Sequence, residues 1–73
     1  MLEHLRGLRE DRDISQAEMA NMLNIHQTTY SNYELEKGNI PLQTLVMLAN
    51  FFHTSIDYIV GLTDERKPYP KRR

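Results

Sequence analysis

Gln27, Thr28, Ser31 and Asn32 lie within the eight residues QTTYSNYE, and each carries a small side chain that both donates and accepts hydrogen bonds. On a helix turning about 100° per residue these four share one arc, and Tyr30, Tyr33 and Glu34 share the other. The outer arc is suited to recognition rather than catalysis. A Gln or Asn amide pairs bidentately with the edge of adenine, and a Thr offers a hydroxyl and a methyl that suit thymine. Plain solvation of an exposed polar face is the alternative use of the same residues.

To present such a face, the segment needs a firm start and a tight turn before it. Ser15 followed by Glu18 is a capping box, which starts a helix at Gln16. Along that helix Ala17, Met19, Ala20 and Leu23 recur at three- and four-residue spacings, which predicts one apolar stripe. Asn24 tolerates the left-handed backbone that a sharp turn requires, and Ile25 follows as an apolar plug. A second helix is expected from about Gln27 to Leu35. His26 falls at its N-cap, where Ser or Thr is usual.

This succession of helix, turn and polar helix resembles the phage-repressor and Cro type of helix-turn-helix domain, the XRE family. The residues that carry the resemblance are LRGLREDRDISQAEMANML, NIHQTTYSNYE, IPLQTLVMLANFF and SIDYIVGLTD, and it extends from Leu2 to about Asp64. The resemblance implies an all-α, five-helix bundle of lambda-repressor type and a sequence-specific transcriptional regulator. A repressor that binds a palindromic operator as a homodimer is the expected form, with double-stranded DNA as partner. Gln27, Thr28 and Asn32, with Ser31, are then the candidates for base edges. Gln16, Arg9, His26 and Lys37 are the candidates for phosphate contacts. The resemblance also implies that Arg9 pairs with Glu34, which an Arg fork suits physically; an ordinary surface Arg is the alternative. Two positions depart from the family, which often has Gly where Asp13 and Glu36 stand. Gly38 comes two residues after Glu36, so the loop path is left open.

The remaining elements follow from the pattern. Leu2, Leu5 and Leu8 mark the buried stripe of a first helix over about Leu2 to Arg12. Pro41 suits the first turn of a fourth helix, whose Leu42, Leu45, Val46, Leu48, Ala49 and Phe52 form a broad apolar face. Ser55 caps a fifth helix that Gly61 ends. Phe51, Tyr58, Ile59 and Leu62 exceed what so small a core can bury, which makes them the candidates for a dimer contact.

Residues 1–64 form the expected domain. They carry four basic and nine acidic side chains, a net −5, whereas residues 65–73 carry five basic and one acidic, a net +4. An acidic body is unusual for a DNA-binding module, since phosphate neutralisation supplies much of the affinity. It keeps open a protein-interaction module, antitoxin-like or regulator-binding, that retains the fold. Residues 65–73 read as a basic, mobile, solvated tail, with a reach toward phosphates or another protein as the second possibility. The chain has no cysteine, consistent with a reducing cytoplasm. No nucleophile with a base, no paired carboxylates in an apolar setting and no Gly-rich phosphate loop points to an enzyme. His4, His26 and His53 have no partners at ligand spacing, so neither a metal nor another cofactor is expected. No apolar run can cross a membrane, and there is no second domain to bind a small molecule.

Overall fold

Five helices account for the ordered architecture in the computed structural model, which describes residues 1–70. They are α1 (Glu3–Asp11), α2 (Gln16–Leu23), α3 (Gln27–Glu34), α4 (Leu42–Phe51) and α5 (Ile56–Val60), and no strand occurs among the described residues. The basic end of the tail, Lys71, Arg72 and Arg73, lies outside the described residues.

The capping box forms as the spacing requires. Ser15 Oγ accepts from the Glu18 N–H at 3.0 Å, and the Ser15 N–H donates to Glu18 Oε1 at 2.9 Å. Met19 and Ala20 of α2 are buried and Leu23 half-buried, whereas Ala17 is exposed, on the side of α2 turned from the core. Ser55 repeats the capping logic at α5, its Oγ accepting from the Tyr58 N–H at 3.0 Å.

All five helices end alike. Asp13 (φ +55°), Asn24 (φ +57°), Glu36 (φ +59°), His53 (φ +53°) and Gly61 (φ +86°) each adopt the left-handed conformation after a helix. The next N–H then donates back five residues: Ile14 to the Arg9 carbonyl, Ile25 to Ala20, Lys37 to Asn32, Thr54 to Ala49 and Leu62 to Asp57, at 2.8–3.2 Å. This Schellman closure satisfies carbonyls that a helix end leaves orphaned, and only one of the five turns uses glycine. Asp13 and Glu36 therefore keep the backbone that the resembling family gives to Gly. Gly38 has no positive φ, so the left-handed residue that closes α3 is Glu36 and not Gly38.

The core gathers Leu2, Leu5 and Leu8 of the first segment, Met19 and Ala20 of α2, Tyr30 and Tyr33 of α3, Leu48, Ala49 and Phe52 from α4, and Ile59 of α5. Helix α3 packs against α2 and α1, and α5 packs against α1 and α4. The broad face expected of α4 is narrower in the structure: Leu42 is 69% and Val46 43% exposed, because only the Leu48, Ala49 and Phe52 side meets the bundle. Pro41 is the N-cap rather than the first helical residue. Among the dimer candidates, Ile59 is a correction: it is fully buried, at the centre of the α5 packing. Phe51 and Tyr58 are half-buried, and each is covered by a side chain of the same chain. The Arg12 guanidinium lies 4.8 Å from the Phe51 ring centre, and His4 stacks on Tyr58 at 4.0 Å. Leu62 remains 78% exposed.

Candidate nucleic-acid interface

Helix α3 turns two kinds of chemistry in opposite directions. Its inner side carries Tyr30, Tyr33 and Glu34, all buried. Its outer side carries Gln27 and Thr28, which are exposed, and Ser31 and Asn32, which are half-buried. None of these four makes a side-chain hydrogen bond among the described residues, so their donors and acceptors remain free for a ligand. The outer side is uncharged, the one charged residue of α3 being the buried Glu34.

Glu34 is the hub that fixes the pose of α3. Its carboxylate receives Arg9 Nε at 2.7 Å and Arg9 Nη2 at 3.2 Å, the Tyr30 hydroxyl at 2.6 Å, and Gln16 Nε2 at 3.1 Å. Arg9 Nη1 donates further to the Ile14 carbonyl at 2.8 Å. Glu34 thus joins α1, α2 and α3, and Arg9 carries the tie on to the turn after α1. The N-terminal segment adds a backbone tie, since the Leu2 N–H donates to the Glu34 carbonyl at 2.7 Å. Burial pushes the Glu34 carboxyl up, but the bonds from Arg9, Tyr30 and Gln16 more than reverse this and leave it below the usual carboxylate range. The bond to Glu34 holds the Arg9 guanidinium charged, and burial pushes the Tyr30 phenol well above its ordinary value.

The phosphate candidates fall in different settings. His26 and Lys37 are exposed at the two ends of α3, flanking the polar face. The His26 side chain does not cap the helix, so the first-turn N–H groups of α3 keep no side-chain acceptor. Lys37 is placed by its own N–H, which bonds the Asn32 carbonyl at 2.9 Å. Gln16 is half-buried and spends one amide N–H on Glu34, leaving its second N–H and its carbonyl. Arg9 is 8% exposed, and three of its five N–H groups are already bonded, so it has little surface for a phosphate. The roles of Tyr30 and Gln16 in the hub were missed from the sequence. The Tyr30–Glu34 spacing of one helical turn was a signal for the first; the second depends on how α2 crosses α3.

A family model described as Helix-turn-helix matches residues 5–59. The chain belongs to this helix-turn-helix family. Among its relatives is the uncharacterized HTH-type transcriptional regulator YobD of Bacillus subtilis, 37% identical over 71 residues, or 97% of this chain and 63% of that protein. The control protein C.SmaI of Serratia marcescens is 29% identical over 69 residues, 90% of this chain and 82% of that protein. The cryptic phage CTXphi transcriptional repressor RstR of Vibrio cholerae is 36% identical over 57 residues, 78% of this chain and 51% of that protein. The helix-turn-helix chain therefore spans less than two thirds of YobD and about half of RstR. No solved structure matches it. In this chain the helix pair of the family is α2 and α3, and the outer side of α3 is the polar face described above. No described helix is long and apolar enough to cross a membrane.

Proposed function

We propose that this helix-turn-helix domain is a sequence-specific DNA-binding transcriptional regulator, a repressor that binds a palindromic operator as a homodimer. The observation that carries the reading is the uncharged face of Gln27, Thr28, Ser31 and Asn32, held outward by the Glu34 hub. Laid in a major groove, this face puts amides and hydroxyls against base edges. His26 and Lys37 at its two ends, and the uncapped first turn of α3, face the flanking phosphates. The regulator and repressor names of relatives support the same reading.

The acidic body is less adverse than the net charge suggests. Glu34 is paired with Arg9, Glu10 with Arg6, Asp11 with Arg66, and Glu36 with the Met1 amino group at 2.8 Å. No carboxylate stands on the outer side of α3. Repression is steric in this reading: two α3 helices occupy successive major grooves about one helical turn apart and exclude polymerase.

Selection of bound duplexes from a random pool, at low and at near-physiological salt, tests the proposal against a Gln27→Ala, Asn32→Ala double variant. Enrichment of a palindromic motif that the double variant loses is the expected result. No enrichment at either salt overturns the reading and favours a protein-interaction module, for which the body charge of −5 is the supporting observation.

A further inference from the structure

The outer side of α3 lacks the side chains that read G·C pairs. Arg or Lys reads guanine by donating to O6 and N7, and Asp or Glu reads cytosine by accepting from N4. Between Gln27 and Leu35 the one charged residue is the buried Glu34. Each arginine among the described residues is engaged within the chain. Arg6 pairs with Glu10 and Arg9 with Glu34, and Arg12 lies over the Phe51 and Phe52 rings, 4.8 and 5.2 Å from their centres. The tail, which the sequence reads as mobile, is docked at Arg66: the Thr54 hydroxyl donates to the Arg66 carbonyl at 2.7 Å, and Arg66 Nη2 reaches Asp11 at 3.2 Å.

What the face does carry suits A·T pairs. Adenine presents its N7 acceptor beside its N6 donor, and an amide supplies a donor and an acceptor in one plane. Guanine presents two acceptors there, so the carbonyl of the same amide is left unpaired in a desolvated contact, which is costly. Thr28 adds a methyl that packs on the thymine C5-methyl. Thr28 and Asn32 lie one turn apart, as do Gln27 and Ser31, so the four side chains form two parallel rows. From Gln27 to Asn32 the helix rises about 7.5 Å, which covers roughly two to three base pairs at about 3.4 Å each.

We infer that the operator positions read by α3 are A·T pairs, adenine being met by the Gln27 and Asn32 amides and thymine by the Thr28 methyl, with no guanine or cytosine read by this face. The inference rests on the DNA-reading role in the proposed function and names its substrate, a half-site with a short A·T core.

Selection with the full chain from a random duplex pool locates these positions as those whose preference is lost in the Gln27→Ala, Asn32→Ala double variant, with helical circular dichroism to check that the variant is folded. A and T are expected there. The enriched duplex is then remade with 7-deazaadenine, which replaces the N7 acceptor by C–H, or with uracil, which lacks the thymine methyl. In one half-site 7-deazaadenine is expected to raise the wild-type Kd about fivefold or more, and uracil about fourfold. Thr28→Ser keeps the hydroxyl and drops the methyl, so this variant is expected to bind the thymine and uracil duplexes equally. G or C at the positions that the double variant loses, or wild-type binding indifferent to both modified bases, overturns the inference and leaves the DNA-reading role standing. A pool in which no motif is enriched overturns both.

Discussion

Glu34 concentrates more of this molecule in one side chain than any other residue. Removing Arg9 leaves a buried carboxylate with only Tyr30 and Gln16 as donors, so Arg9→Ala is expected to destabilise by about 3–5 kcal/mol. Chemical denaturation measures it. The same hub sets a pH dependence. Because the folded Glu34 carboxyl lies below its ordinary value, its contribution is complete above about pH 4.5 and is lost as pH falls through the folded value, the unfolded chain taking up the proton first. From this group the denaturation midpoint should hold between pH 7 and pH 5 and fall by pH 3 for wild type, and the fall should be smaller for Glu34→Gln. On the outer side of α3, Gln27→Ala or Asn32→Ala should each cost about 1–3 kcal/mol at the cognate operator and far less on unrelated duplexes, as read by titration of both.

The helices stand on their end groups, and the start of α3 and the close of α4 are among the ends that can be improved. His26 leaves α3 without a side-chain cap, whereas Ser15 and Ser55 cap α2 and α5. His26→Ser should raise stability by about 0.5–2 kcal/mol, a shift of about 4–8 °C in Tm per kcal/mol for a domain of this size. If the same variant binds DNA less well, His26 also serves a phosphate. His53 holds a left-handed conformation with an exposed side chain. A left-handed L-residue costs roughly 1–2 kcal/mol, and the greater unfolded freedom of Gly offsets part of that gain, so His53→Gly should raise stability by about 0.5–1 kcal/mol. The capping box, the Asn24 turn and the Gly61 stop were legible from residue type because each is a local device. The left-handed conformation of Glu36 was signalled only by the Gly that the resembling family often has there, and that of His53 only by the weak tolerance of His for this region. The Schellman bonds back to Asn32 and Ala49 impose them.

At the scale of the molecule, charge is segregated between an acidic body and a basic tail, and the outer face of α3, which the proposed function lays against base edges, is neutral. Few cations flank that face, so the dependence of affinity on salt should be shallow for a DNA-binding protein. Each Lys–phosphate contact contributes about −0.9 to the slope of log affinity against log salt. Lys37→Ala should therefore reduce the slope by about 1 per subunit while leaving sequence preference unchanged, which titrations at several salt concentrations will read.

The sequence by itself determined the five helices, the turn between α2 and α3, and which side of α3 faces outward, because capping, turn chemistry and apolar period act over a few residues. Only the tertiary structure decided what distant residues do to one another. It turned Gln16 onto Glu34, buried Ile59, left Leu42 and Val46 uncovered, and laid Pro68 and Tyr69 beside α4 and α5. An apolar pattern states that a side chain can be buried. Which stripes find a partner depends on how helices cross, and that geometry is shared among residues far apart in the chain.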